Sequence, residues 1–279
     1  MKKSLYKYFK NRIEKIAIII EKPRHKYNVE TFHQLRVEIK KLHAAFALIK
    51  FGATTFKLKK QFNPFQVIFK YAGKVRKIQI EQVVLLKYAN KNELSIYRKN
   101  LRRKLLRSKN VFFNKIKMKL LVEKLNKIDI KTIPVNTISN KKYLLFIKEQ
   151  KQKIKTIIRK KSLEDFQYHQ LRKKLKQIHY VKKMSKINNE ENGISILTNQ
   201  LGLWHDLSAT RNQLLKSKKD MKLNIWETKQ AEKTVHGIEL DIKKRILDIN
   251  KTISKTKAYW NKKETLNLKF GTGVNHQDV

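Results

Sequence analysis

Hydrophobic residues recur every three or four positions along most of this chain, which is the spacing of one face of an α-helix. The pattern predicts helices at about 3–20, 30–51, 63–89, 93–107, 110–127, 141–160, 163–186, 190–216 and 225–260. Strand-like alternation of apolar and polar residues is absent over any useful length, and only 7 Gly and 3 Pro interrupt the chain. The sequence therefore predicts an all-α protein with long helices and short connections.

Proline and glycine mark the predicted helix ends. Pro23 ends the first helix, and Gly52 stands just after the second as a plausible cap. The Asn63-Pro64 pair gives a capping residue followed by proline at a first helical position. The third helix is therefore expected to begin there.

Two of the predicted helices carry near copies of one sequence. Residues 32–43 (FHQLRVEIKKLH) and 168–179 (YHQLRKKLKQIH) share His-Gln-Leu-Arg, followed by Lys and His at the same distances. Offsets of 0, 3, 7 and 10 residues fall within an arc of about 80° on a helix. One stripe is His33, Arg36, Lys40 and His43, and the other is His169, Arg172, Lys176 and His179. Because the opposite face is apolar in both, each helix is expected to pack on a core and to present a cationic edge.

A second pair of matches indicates an internal duplication. Residues 72–78 lie 40 residues after His33, residues 201–207 lie 33 residues after His169, and each segment has a glycine in a helical run. A helical glycine costs about 1 kcal/mol relative to alanine, so close helix packing is the favoured explanation and approach of a ligand the alternative. We expect a single domain over 1–279, with a first half at about 1–128 and a linker at about 129–140 that holds Pro134. A second half at about 141–262 and a frayed tail at about 263–279 complete it.

The charge of the chain favours a counter-charged partner. With 67 Lys and Arg against 22 Asp and Glu, the formal net charge is +45, and self-repulsion on that scale destabilises a compact state. The candidate polyanions are nucleic acid, an anionic membrane surface and a phosphate polymer. The absence of Cys excludes disulfides and thiol nucleophiles. The apolar run at 16–20 is too short for a signal peptide or a membrane span, so no transmembrane segment and a cytoplasmic location are expected.

The two motifs resemble those of the CHAD domain, the conserved-histidine α-helical domain. That family has a His-x-x-Arg helix in each half, followed by a Leu-Gly segment that ends in Asp. The first motif is matched by His33, Arg36, Val37, Lys40 and Lys41, the second by His169, Arg172, Lys173, Lys176 and Tyr180, and the later segment by Gly202 and Asp206. Lys77 departs from the pattern, since the family usually has Asp after the residue matched by Arg76. His43 and His179 stand where the family often carries Arg.

The resemblance implies two four-helix-bundle halves related by a pseudo-two-fold axis around a basic central channel, with inorganic polyphosphate as the ligand. Arginine can bind two phosphate oxygens at once, lysine adds point charges, and histidine becomes cationic beside a polyanion. The predicted polyphosphate-binding residues are His33, Arg36, Lys40, Lys41, His43, Arg76, His169, Arg172, Lys173, Lys176, His179 and Lys183. Association with polyphosphate granules, or a role as a polyphosphate scaffold, is the expected use of the binding.

Catalysis, a metal site and a cofactor are not predicted. A phosphohydrolase normally needs clustered carboxylates for metal ions, and the acids here are dispersed among many bases. His205 and Asp206 are adjacent on a helix and point about 100° apart, so Asp206 is expected to hold a basic side chain rather than a metal. The main alternative is a basic helical protein that binds nucleic acid, which the charge favours and which aromatics among lysines would serve. A scaffold at a granule or membrane surface also stays open.

Overall fold

The computed structural model describes residues 2–116, 123, 133–160, 162–184, 192–220 and 223–270. In these ranges the chain is all-α, as predicted, and contains no strand. The described helices are α1 (Lys2–Glu21), α2 (Val29–Gly52), α3 (Leu58–Tyr88), α4 (Ser95–Lys115), α5 (Asn140–Ile158), α6 (Asp165–Met184), α7 (Asn192–Asp220) and α8 (Ile225–Phe270). Short 3₁₀ turns at Arg24–Lys26 and Val135–Thr137 precede α2 and α5.

Three predicted helix boundaries are wrong. The third helix begins at Leu58, so Pro64 lies inside it, because Leu58 and Phe62 pack on the core and extend the helix by another turn and a half. The predicted break between 107 and 110 does not occur, since α4 runs without interruption to Lys115. The rest of the helix predicted at 110–127 falls outside the described residues, apart from residues 116 and 123. At the other end of the chain, α8 continues past 262 to Phe270.

Gly52 permits a close contact between the first half and the linker segment, and it does not form a left-handed cap. It lies within α2, and none of the described glycines has a positive φ. A Cβ atom at this position would overlap the Cδ1 atom of Ile138, which is buried in the segment predicted as the linker. Ile133 and Val135 of that segment are buried as well. The described part of the linker is therefore packed against the first half.

Side chains from α8 complete the first half. Glu227 accepts hydrogen bonds from the backbone N–H groups of Ile96 (2.5 Å) and Tyr97 (3.3 Å), and so caps the N-terminus of α4. Gln230 accepts from the N–H of Leu94, which has a left-handed backbone (φ 56°). These contacts join residues about 130 positions apart, so no local sequence signal reveals them.

The motif helices α2 and α6 pack against each other near the centre of the fold. Their apolar faces are fully buried, as predicted: Leu35, Ile39, Leu42, Leu171, Leu175 and Ile178 each have 0% exposure. The opposite, polar edges of the two helices consequently face a shared region between the halves. Among the described helices, none combines the length and the apolar character that crossing a membrane requires.

Candidate anion-binding site

Five basic side chains from three helices form one group, and four of them, all but Arg36, interact electrostatically with a single carboxylate. Arg36 and Lys40 come from α2, Arg76 from α3, and Arg172 and Lys176 from α6, while the carboxylate is that of Asp206 on α7. We call this group the cationic cluster. The five lie close enough that their charges shift the pKa values of one another or of Asp206. One carboxylate cannot neutralise five cations, so the cluster carries a large excess of positive charge.

The pKa values of the cluster residues reflect this excess of positive charge. Burial, followed by the charges of Lys176 and Arg36, lowers the pKa of Lys40 to about 7. Burial and the charge of Arg172 lower the pKa of Lys176 to about 8, and burial with Arg76 and Arg172 lowers the pKa of Arg36 to about 10. Burial raises the pKa of the Asp206 carboxyl, and its cationic neighbours oppose this shift. An anion in the cluster would relieve the repulsion among the basic groups.

Arg36 is held rigidly by α3. Its Nη1 atom donates a hydrogen bond of 2.7 Å to the backbone carbonyl of Phe69, and its guanidinium lies 3.9 Å from the centre of the Phe69 ring. A Cβ atom at position 73 would lie 2.5 Å from Arg36 Nη1, so Gly73 makes room for this side chain. The glycine predicted to allow close packing of helices thus allows close packing of an arginine.

Two other arginines of the cluster have donors without acceptors. Arg76 Nη1 and Arg172 Nε are buried, and neither finds a hydrogen-bond partner among the described residues. Buried guanidinium N–H groups that lack an acceptor are costly, and native structures rarely leave them so. Both arginines interact electrostatically with Asp206, and an oxyanion bound near them would supply the missing acceptors.

The histidines lie at the margins of the cluster. The His169 and His205 rings are 5.1 Å apart between centroids, and burial with the nearby charge of Arg172 lowers the pKa of His205 to about 4. Burial lowers the pKa values of His33 and His169 too, with smaller effects from nearby cations. These imidazoles are therefore largely neutral at pH 7 in the absence of a polyanion.

A large cavity of about 1470 Å³ opens beside the cluster, between α2, α3, α5 and α6. Lys40, Arg172 and Lys176 line one part of it. The rest of the wall includes aromatic, aliphatic and carboxamide side chains, among them Phe62, Phe69 and Gln66. No Asp or Glu of the described residues lines this cavity.

The structure brings most of the predicted binding residues together, although it does not show what they bind. Lys40, His43, Arg172, Lys173 and Lys176 line the large cavity, Arg36 and Arg76 belong to the cluster, and His33 and His169 lie at its margin.

Three predicted residues lie elsewhere. Lys41 pairs with Glu38 at 2.7 Å, on the side of α2 that faces Arg12. His179 packs edge-on against Tyr180, and Lys183 is exposed; neither lines the cavity. Lys41 follows Lys40 by one residue and therefore points about 100° away on the helix, which explains why the motif match misplaces it.

Four lysines that line the cavity were not predicted as binding residues from the sequence: Lys59, Lys60, Lys153 and Lys174. Lys59 and Lys60 precede the point where α3 was expected to begin, so they counted as loop residues. Lys153 lies on α5, which carries no motif. These lysines come together only because of how the helices pack, and no short-range sequence pattern predicts that packing.

Asp206 lies within electrostatic reach of four basic side chains of the cluster. Its charge interacts with Arg172, Lys176, Arg76 and Lys40. Within the described ranges, no three His, Asp or Glu side chains come together as a group that could hold a metal ion. His205, its neighbour, turns towards His169 and Trp204 instead.

The architecture is thus that of a two-part helical protein whose motif helices meet at a cationic cluster. Two solved structures are similar to it over most of its length. PptA from Streptomyces chartreusis matches with a TM-score of 0.72 at 8% identity, over 91% of this chain and 99% of that one. The CHAD domain from the plant Ricinus communis matches with a TM-score of 0.71 at 12% identity, over 91% of both chains. The chain therefore has the CHAD fold, as the sequence motifs indicated. No protein-family model matches the sequence, and neither does any curated protein.

Proposed function

We propose that this protein binds inorganic polyphosphate at the cationic cluster and in the adjoining cavity, without hydrolysing it. The observation that carries the proposal is a group of five basic side chains with a single carboxylate, in which two buried arginine donors have no acceptor among the described residues. A chain of adjacent phosphates supplies both the negative charge and the acceptor oxygens that this arrangement lacks. The CHAD fold adds support, because that family is associated with this ligand.

The surroundings of Asp206 support a non-catalytic role. A divalent metal ion there would meet four cationic side chains at close range, which opposes its binding. We therefore expect no release of phosphate from polyphosphate, inorganic triphosphate or nucleoside triphosphates, with or without magnesium or manganese. Metal-dependent phosphate release that disappears in the Asp206→Asn variant would contradict this part of the proposal.

The first experiment is a competition assay at near-physiological salt. Long-chain polyphosphate, single-stranded RNA and duplex DNA compete for the protein at equal phosphate concentration. We expect polyphosphate to win, and its affinity to fall steeply as salt rises, because binding releases counterions. If either nucleic acid wins, nucleic-acid binding replaces polyphosphate binding as the function.

The second experiment separates one site from diffuse charge. Arg36→Ala combined with Arg172→Ala removes two of 67 basic residues. A charge-assisted hydrogen bond contributes about 1.5–3 kcal/mol, so the double variant, which forgoes two such arginines, should bind polyphosphate at least tenfold more weakly. The matched control is Arg102→Ala with Arg103→Ala, two exposed arginines of α4 that lie outside the cluster and the cavity. Equal reductions of affinity in the two variants would leave only a basic surface.

Association with polyphosphate granules is the cellular role that we propose for this binding. It predicts that the protein co-localises with granules in cells, and that the Arg36 and Arg172 double variant becomes diffuse while the Arg102 and Arg103 control does not. A protein that stays on granules without both cluster arginines would be held there by something else.

A further inference from the structure

Part of the wall of the large cavity is apolar and would make no favourable contact with a bare phosphate chain. Polyphosphate has no apolar surface and no ring to stack, so lysine and arginine alone would suffice to bind it. Aromatic and aliphatic side chains nevertheless form much of the lining, among them Phe62, Phe69, Leu58 and Ile157. An open cavity with a carbon-rich wall favours a ligand with an apolar or aromatic part.

Along α2 and α3 the cavity has a cationic end, at Lys40, and an aromatic end, at His43 and Phe62. The cavity is also lined by Lys59 and Lys60, which precede Phe62 on α3. Arg36 of α2 contacts Phe69 of α3, and His43, seven residues later, contacts Phe62, seven residues earlier. Seven residues of helix span about 10 Å. A ligand lying along this direction can therefore place phosphates among Lys40, Arg172 and Lys176 and still reach Phe62 with a group at its other end.

The aromatic end offers a surface for stacking and groups for hydrogen bonding. The Phe62 and His43 rings are 4.7 Å apart between centroids, and burial lowers the pKa of His43, so its ring is neutral at pH 7. Carboxamides also line the cavity: Asn63, Gln66, Gln170 and Gln177. None of the four makes a side-chain hydrogen bond to another described residue, so their donors and acceptors are available.

We propose that the cavity binds a nucleoside polyphosphate, a chain of phosphates that carries a planar nitrogenous base. The phosphates lie among Lys40, Arg172 and Lys176, and the base lies against Phe62 and His43. Asn63 and Gln66, which flank the aromatic side chain on α3, offer amide groups to the edge of the base. The inference rests on the proposed function only at the cationic end, where the two ligands share the same three side chains.

The spacing of the cations favours a nucleoside polyphosphate over a nucleic acid. Arg172, Lys176 and Lys40 are close enough to act on the same carboxylate. Adjacent phosphates in one short chain match this convergence, whereas each phosphate of a nucleic acid is separated from the next by a sugar. Single-stranded binding proteins instead spread their cations along a groove.

The test compares ATP with inorganic triphosphate, which has the same number of phosphates and no base. Both are titrated without divalent metal into the wild-type protein and into a Phe62→Leu, Gln66→Ala variant. Leucine keeps an apolar side chain against Phe46 and Phe65, and Gln66 is exposed, so the variant should fold. If its melting temperature falls, Gln66→Ala alone provides the comparison. We expect the wild type to bind ATP about tenfold more tightly than triphosphate, and the variant to lose that preference while its affinity for triphosphate stays unchanged.

The outcomes separate this inference from the proposed function. Equal affinity for ATP and triphosphate in the wild type overturns the inference and leaves polyphosphate binding intact. Tight ATP binding in a protein that ignores long-chain polyphosphate supports the inference and overturns the proposed function. A competition between ATP and a short single-stranded RNA gives a further outcome. If the RNA binds more tightly than ATP at equal phosphate concentration, the inference is overturned, because the aromatic end would then bind nucleic acid.

Discussion

The two halves repeat one motif but give its arginine different surroundings. In the first half, Arg36 is fixed by the carbonyl and ring of Phe69 and by the space that Gly73 leaves. In the second half, Arg172 interacts with Asp206, its Nε atom has no partner among the described residues, and no atom lies within 4 Å of a Cβ built at Gly202. The repeated motif thus provides one arginine, Arg36, that is held in place, and a second, Arg172, that still has a free hydrogen-bond donor among the described residues.

The residues four positions after Gly73 and Gly202 explain part of the difference between the surroundings of Arg36 and Arg172. Gly73 is followed four residues later by Lys77, which is exposed and donates to Gln213 at 2.6 Å. Gly202 is followed four residues later by Asp206, which faces the cluster. The single carboxylate of the cluster therefore comes from the second half only, and its charge favours the charged forms of Arg172 and Lys176. We infer that, of the two motif arginines, Arg172 is the more available to a phosphate.

The largest expected effect separates Arg172 from Arg36. Arg172→Ala should weaken polyphosphate binding at least tenfold with little change in the free energy of unfolding, because its Nε–H has no acceptor among the described residues. Arg36→Ala should lower that free energy by about 1.5–3 kcal/mol, since it removes a charged hydrogen bond to Phe69, and should weaken binding less. Titration calorimetry and urea unfolding measure the two quantities. Arg103→Ala is the single-charge control, and an equal weakening of binding in both cluster variants would mean that the two arginines are equivalent.

The repeated stripe could be predicted from sequence because it depends only on helical periodicity. Arg36, Lys40, Arg172 and Lys176 stand at positions that a helix must place on one edge, and the apolar positions between them must face a core. The resemblance to the CHAD domain then indicated how the two edges are arranged. All four residues belong to the cluster that the structure shows.

The surroundings of the stripe could not be predicted, since they depend on tertiary contacts. The contact of Arg36 with Phe69 joins residues 33 positions apart, and the Glu227 cap on α4 joins residues about 130 apart. Pro64 misled the prediction because proline is tolerated when packing of Leu58 and Phe62 extends a helix beyond its local start signal. The pseudo-two-fold relation between the halves stays a prediction, and the unequal environments of the two arginines limit how far it extends to side chains.

The next expected effect is a dependence of polyphosphate affinity on pH. The pKa of Lys40 is about 7 and that of Lys176 about 8 in the free protein, and a bound polyanion raises both. Binding therefore takes up protons, and affinity should fall as pH rises above about 7, by up to tenfold per unit for each lysine. His33 and His169, whose pKa values burial lowers in the free protein, add to the same trend at lower pH. We accordingly expect stronger binding at pH 6 than at pH 8.

Stability of the free protein should change with pH in the opposite direction. A lysine whose folded pKa lies below the unfolded value of 10.5 holds fewer protons when folded, so the free energy of unfolding rises between about pH 7 and 10. The Lys40→Arg variant keeps its charge throughout this range and should flatten both dependences. Calorimetry in two buffers of different ionisation enthalpy counts the protons taken up on binding. A proton count of zero at pH 7.5 in the wild type would show that these lysines do not contact the ligand.

The smallest expected effect is a difference in sign between two glycine substitutions. Gly202→Ala should raise the free energy of unfolding by about 0.5–1 kcal/mol, because alanine favours the helix and its Cβ meets open space. Gly73→Ala gains the same helical preference but displaces Arg36 from the Phe69 carbonyl, at a cost of about 1.5–3 kcal/mol, so its net effect should be a destabilisation of about 0.5–2.5 kcal/mol. Urea unfolding in phosphate-free buffer measures both. Polyphosphate affinity of the stabilised Gly202→Ala protein then answers a further question: a lower affinity would show that the ligand approaches the α7 backbone at Gly202, and an unchanged affinity that the ligand does not occupy this open space.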